Sequence, residues 1–261
     1  MNNYRRPDTL VASSPTELQD ALVEYLQEIY DKSEQIPGYV TFAVSGGSMP
    51  KVLAGVFPRL KMDIDRLKVV LVDERVVEWS SPDSNYGAYI SALPERYHDC
   101  VVPVELAEAT YRQGGDKFPY DITRTASSYE HRIRQHIGPE LIGRMPRFDA
   151  VLLGMGPDGH TASLFPNSRL WKLKNYQLDS PSWIVAIDDS PKQPPRRITF
   201  TLGAINCAKN IAFIATGEDK ATVLKEVLEG NPMFPAALVR PCYNGGTLKF
   251  FVDRAAASKI V

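Results

Sequence analysis

Cysteine is scarce. Cys100, Cys207 and Cys242 are the three in 261 residues. They are odd in number, lie far apart in the chain, form no Cys-x-x-Cys pair and have no histidine at metal-ligand spacing. That pattern argues against both a disulfide framework and a zinc framework, and it predicts buried, inert thiols in a reducing cytosol. Long apolar runs are also missing. No stretch approaches the roughly 20 residues of a transmembrane helix, and the opening MNNYRRPDTLVASSPTEL lacks the apolar segment of a secretory signal. A cytoplasmic chain with no membrane partner is expected. Charge of one sign is absent too: 30 Lys and Arg face 31 Asp and Glu, for a net −1. No basic block exceeds a pair of arginines, so DNA or RNA finds no electrostatic footprint. A small phosphorylated ligand needs only a few local positive groups.

Repeats and low-complexity linkers are likewise absent, and one α/β domain over residues 1–261 is expected, as a monomer or weak homo-oligomer. Ser14, Pro15 and Glu17 suit the N-cap, N1 and N3 positions of a capping box. Leu18, Leu22, Tyr25, Leu26 and Ile29 follow at helical spacing, and Pro37-Gly38 ends the segment. β-rich runs lie at 39–44, 67–72, 149–153, 183–187, 197–202, 211–215 and 248–252. Helices are expected near 49–57, 85–93, 121–137 and 219–230, and an ordered proline-rich loop at 190–197. This alternation predicts a mainly parallel, Rossmann-like doubly wound sheet with helices on both faces. His98, His131 and His136, in a loop and on a polar helix, read as solvated.

Three polar segments follow three of these strands, at the carboxyl edge where open α/β sheets bind ligands. The segment GMGPDGH contains Gly154, Gly156 and Gly159 in a G-x-G-x-x-G pattern. A dinucleotide site would need a helix of about three turns and then a strand ending in an acid about 20 residues on. Here Pro166 interrupts the helix, Asp179 precedes the next strand, and that strand ends only at Asp188. The glycines instead suit a tight turn with accessible amides. His160 then sits at the sheet's mouth as a candidate general base tuned by Asp158. Alternatively, Asp158 caps a short helix and His160 is a satisfied surface residue.

The segment SGGS suits a phosphate cradle: Gly46 and Gly47 let amides converge, Ser45 and Ser48 offer hydroxyls, and a helix begins there. It reads equally as a tight turn with Ser48 as N-cap. In DER, Arg75 can hold a phosphate or carboxylate, with Asp73 fixing its orientation, or the three charges are simply solvated. Asn85 lies in the nearby SNYG. Lys192, Arg196, Arg197 and Lys220 supply further positive charge, and composition does not choose among them.

Taken in order, VSGGSMPKVL, VDERVV, SPDSNYGAY, DAVLLGMGPDGHTASLFP, SPKQPPRRITFTL, IATGEDKATVLKEVL and FPAALV resemble the 6-phosphogluconolactonase family over nearly the whole chain. The wider superfamily includes glucosamine-6-phosphate deaminases, whose D-G-H loop typically continues I-A-F-N-E-P. HTASLFP lacks that acid and is similar to the lactonase branch. The resemblance implies a phosphosugar-isomerase/CoA-transferase-like fold. It also implies hydrolysis of a phosphosugar lactone, 6-phosphoglucono-δ-lactone, with no cofactor and no metal. His160 would be the base, Asp158 its orienting group and Arg75 its electrostatic partner beside Asp73. Ser45, Gly46, Gly47, Ser48, Asn85, Gly156, Arg197 and Lys220 would bind substrate. A deaminase-like enzyme and a non-catalytic sugar-phosphate sensor are the competing readings.

Overall fold

The computed structural model describes residues 6–108, 119–138, 140–172, 181–243 and 245–260. In chain order the strands are β1 (Asp8–Ala12), β2 (Val40–Val44), β3 (Leu67–Leu71), β4 (Asp73–Arg75), β5 (Glu140–Ile142), β6 (Met145–Arg147), β7 (Ala150–Gly154), β8 (Ile184–Ile187), β9 (Arg197–Phe200), β10 (Asn210–Ala215) and β11 (Thr247–Asp253). The longer helices are α1 (Pro15–Glu34), α2 (Met49–Val56), α3 (Asn85–Ala92), α4 (Ile122–His136) and α5 (Ala221–Leu228).

Six strands pair in the order β1-β11-β10-β7-β2-β3, and every pairing is parallel. All five residues of β2 are buried, as expected for a strand covered on both faces. The chain leaves β2 toward β3 on one side and leaves β7 toward β10 on the other. The crevice between β2 and β7 is therefore a topological switch point, where parallel sheets take ligands. Buried Asp149, just ahead of β7, pins this pair from the opposite edge. It accepts hydrogen bonds from the Thr41 amide at 2.8 Å, the Thr41 and Ser33 hydroxyls at 2.9 Å, and the Lys209 ammonium at 2.9 Å.

Two runs expected in this sheet lie elsewhere. β8 and β9 join β4 in a separate antiparallel sheet, ordered β4-β9-β8, against which α4 packs. The DER segment is thus a strand and not a solvated loop, with Asp73 and Glu74 buried. Strand β1, which pairs with β11 at the sheet edge, and the short β5–β6 hairpin were not expected.

The start of α1 follows its sequence signature with one change. Ser14 caps by accepting the Glu17 amide at 3.1 Å. The Glu17 carboxylate reaches one residue beyond the cap, to the Ser13 amide at 2.7 Å. Among the described residues no helix is long and apolar enough to cross a membrane. His131 is exposed, His98 bonds the Leu93 carbonyl at 3.0 Å, and the His136 side chain and Asp179 lie outside the described residues. The expectation of three separate buried thiols fails at one pair: Cys207 and Cys242 meet with their sulfurs 3.0 Å apart, and Cys242 is exposed.

Candidate active site

The loops after β2, β7 and β10, with β4 and β9 from the second sheet, enclose a cavity of about 290 Å³. It is lined by Ser45, Gly46, Gly47 and Ser48, by Asp73, Arg75 and Asn85, by Gly156 and His160, and by Lys192, Arg197 and Lys220. Asp158 joins through His160. The sequence-predicted site residues thus converge on one place.

In the β7 loop, His160 Nδ1 donates a short hydrogen bond to Asp158 Oδ1. With Nδ1 carrying that proton, Nε2 holds the lone pair, and Nε2 has no protein partner among the described residues. The imidazole rests against the buried Phe165 ring, centroids 4.6 Å apart. Lys192 Nζ stands 3.8 Å from Asp158 Oδ1. Burial acts to raise the Asp158 pKa, but the His160 hydrogen bond and charge, with Lys192, outweigh it and bring it down to about 2.

The glycines here have separate reasons. A Cβ on Gly156 would lie 2.0 Å from His160 Nδ1 and Cε1 and 2.5 Å from Asp158 Oδ1, so the acid–base pair is laid over bare backbone. Gly159 has φ +76, and a Cβ there would meet the Phe234 ring at 2.4 Å. Gly154 meets nothing. The Gly156 amide is not open to a ligand, because it donates to the His160 carbonyl at 2.9 Å; the expectation of an accessible amide at Gly156 is corrected. No helix follows Gly159 before Arg169, so the strand-turn-helix context of a dinucleotide site is missing. It follows that Asp158 caps none.

The β2 loop keeps its donors free. Gly47 turns at φ +67, and the amides of Gly46, Gly47 and Ser48 have no acceptor among the described residues. The hydroxyl of buried Ser45 is also unpartnered. Ser48 is the N-cap of α2 but makes no side-chain cap bond. Three free amides, a free hydroxyl and a helix amino end form a site for an anion. Asn85 closes one wall: its Nδ2 donates to the Asp73 carbonyl at 2.9 Å, and its amide oxygen would lie 1.9 Å from a Cβ on Gly46.

On the second sheet, Arg75 and Arg197 stand directly opposite each other. Like charges at facing positions repel. Burial first, then the Arg75 charge, pulls the Arg197 guanidinium below its ordinary value. The proline-rich loop wraps Arg197, whose Nη2 donates to the Lys192 and Gln193 carbonyls at 3.1 and 3.2 Å and whose Nε donates to the Pro194 carbonyl at 2.9 Å. Arg196 points away, to the Tyr120 carbonyl at 3.0 Å. Asp73 does not orient Arg75: its Oδ2 accepts from the Ser163 hydroxyl at 2.8 Å, while Arg75 Nη1 donates to the Asp83 carbonyl at 2.5 Å. Lys220 bonds both oxygens of Asp219 at 3.2 Å while lining the cavity.

Three contributors were not singled out from sequence. Ser163 links Asp73 to Arg197, accepting from its Nη1 at 3.3 Å. Phe165 supports His160. Buried Glu74 accepts the amides of Arg75, Asn85 and Tyr86, each at 2.7 Å, and so ties β4 to the start of α3. Its three-charge setting in DER was the available signal. Among the described residues, no three His, Cys, Asp or Glu side chains group as metal ligands would.

Residues 13–248 match the family model of glucosamine-6-phosphate isomerases/6-phosphogluconolactonase. The chain belongs to that family. Within it, this glucosamine-6-phosphate isomerase/6-phosphogluconolactonase family member is 39% identical to the human 6-phosphogluconolactonase over 223 residues, covering 82% of this chain and 78% of the human one. It is 36% identical to the bovine 6-phosphogluconolactonase over 261 residues, covering 95% and 91%. The Trypanosoma brucei 6-phosphogluconolactonase structure superposes with a TM-score of 0.76 at 28% identity, over 99% of this chain and all (100%) of that one.

Proposed function

We propose that this family member hydrolyses 6-phosphoglucono-δ-lactone to 6-phosphogluconate, the lactone-opening step of the pentose phosphate pathway, with His160 as general base. The observation that carries this reading is the Asp158–His160 pair laid over Gly156, with Nε2 left for a water at the cavity mouth. His160 takes a proton from that water, and the oxygen attacks the lactone carbonyl carbon. Charge develops on the carbonyl oxygen, where the Arg75 guanidinium stabilises it. Collapse breaks the bond to the ring oxygen, and protonated His160 returns the proton there. Asp158 remains ionised throughout and steadies the imidazolium.

The phosphate sits far from the reacting carbon and serves as an anchor. The amides of Gly46, Gly47 and Ser48 and the Ser45 hydroxyl receive it, with Arg197 and Lys220 supplying charge. Asp73 and Asn85 hold the walls. Gly156 contributes by its missing side chain and not by its amide.

The test compares 6-phosphoglucono-δ-lactone with the unphosphorylated gluconolactone, following acid release above the spontaneous rate. The proposal expects kcat/KM lower by about 10²-fold or more for the unphosphorylated lactone, the scale of lost positioning energy. Equal rates would remove the anchor from the mechanism. Acceleration of neither, with 6-phosphogluconate still bound, would favour a sensor.

A further inference from the structure

Cys207 and Cys242 lie 35 positions apart in the chain, yet their sulfurs approach to 3.0 Å. Closing to a bond length of about 2.05 Å needs a movement of only about 1 Å. The backbone already holds the two segments together. Cys207 follows the short helix Leu202–Asn206, and the Cys242 amide donates to the Asn206 carbonyl at 2.8 Å. The Asn206 side chain adds two more ties, accepting the Arg240 amide at 2.9 Å and donating to the Leu238 carbonyl at 3.2 Å. The thiols differ in access: Cys242 is exposed and Cys207 is buried, 6% accessible.

We propose that Cys207 and Cys242 form a peroxide-responsive dithiol site, with Cys242 the thiol oxidised first and Cys207 the resolving one. The co-reactant is hydrogen peroxide. Cys242 Sγ attacks the peroxide oxygen, the O–O bond breaks, and water leaves with the thiol proton, so that Cys242 becomes a sulfenic acid. Cys207 Sγ then attacks Cys242 Sγ. The S–O bond breaks, the hydroxyl leaves as a second water with the Cys207 proton, and the disulfide forms. Two thiols and one peroxide thus give one disulfide and two waters. Burial, then the hydrogen bond with Cys242, pushes the Cys207 thiol up to about 12. The burial of Cys207 beside an exposed Cys242 keeps peroxide chemistry on the exposed partner and leaves Cys207 to act after the sulfenic acid is made. Cys100, buried by itself, takes no part.

The crosslink sits at the amino ends of β10 and β11, the sheet edge opposite the candidate active site. It would close the loop between residues 207 and 242 without touching the cavity, which predicts a gain in stability and no change in turnover.

The experiment treats the full chain with hydrogen peroxide, alkylates the remaining thiols and reads intact and peptide masses, with a thermal melt beside it. The expected result is loss of two hydrogen masses, a linked Cys207–Cys242 peptide, one alkylated thiol at Cys100, and a melting temperature a few degrees higher that dithiothreitol reverses. Cys242→Ser and Cys207→Ser each abolish the mass loss, and in Cys207→Ser the sulfenic acid at Cys242 is trapped by dimedone. Oxygen added to Cys242 with Cys207 still alkylated in the wild type would overturn the proposal. So would an unchanged mass, or a dimer linked through Cys242.

Discussion

Gly156 is the residue on which the candidate base depends, and its role is to be absent beyond the backbone. Because a Cβ would sit 2.0 Å from the His160 ring, Gly156→Ala must displace the imidazole, Asp158 or the turn. A displacement of about 1 Å costs on the order of 10²-fold in rate. Gly156→Ala is expected to lower kcat by about that factor, and circular dichroism should show an unchanged fold. Asp158 sets a second expectation. With its pKa brought from 3.8 to about 2, it is charged at every working pH. The stabilisation it lends is present above about 3.8 and lost only as pH falls through about 2. Loss of activity between neutrality and pH 5 is therefore not the protonation of Asp158. Asp158→Asn removes the carboxylate that orients the imidazole and steadies the imidazolium, so kcat falls with KM little changed. An unchanged kcat in the variant would remove Asp158 as the orienting group.

Among the elements, β2 and β7 form the frame, and buried Asp149 holds them at the edge away from the site. Its carboxylate is satisfied by Ser33, Thr41 and Lys209, so Asp149→Ala leaves the Thr41 amide and two buried hydroxyls without their acceptor, while half-buried Lys209 keeps Glu140 at 3.5 Å. A loss of about 2–4 kcal/mol in denaturant unfolding is expected, with kcat unchanged where the protein remains folded. The strands of this frame were legible in the sequence because a buried parallel strand is a continuous apolar run, as in VTFAV and AVLLG. The same rule hid the second sheet: IVAI and RITF are also apolar runs, and nothing in composition distinguishes an antiparallel partner of DER from a seventh parallel strand. DTLVA was missed because an edge strand with one buried residue lacks that run. At the site, the glycine loops and His160 were legible through their placement after strands. The Asp73–Ser163–Arg197 chain was not, because it joins residues 90 and 34 positions apart. The facing of Arg197 and not Arg196 required a strand register that sequence does not supply. The Cys207–Cys242 contact was hidden by the same kind of separation.

For the whole molecule, charge is balanced but not evenly spread. A chain of net −1 gathers Arg75, Lys192, Arg197 and Lys220 around one cavity, against Asp73 and Asp158. Such a cleft draws an anionic substrate by its local field, which salt screens over a Debye length of about 10 Å at 0.1 M. Raising ionic strength from about 0.02 to about 0.5 M is expected to raise KM for the phosphorylated lactone several-fold and to leave kcat nearly constant. A KM indifferent to salt would argue that the cavity's arginines and lysines are spent on protein partners. The most direct test of His160 as base is the disappearance of freshly generated 6-phosphoglucono-δ-lactone with wild type and His160→Ala, each corrected for spontaneous hydrolysis. The expected result is rapid hydrolysis by the wild type and a kcat about 10²–10⁴-fold lower in the variant, the scale of lost acid–base catalysis, with KM little changed. An unchanged kcat in His160→Ala would contradict the mechanism.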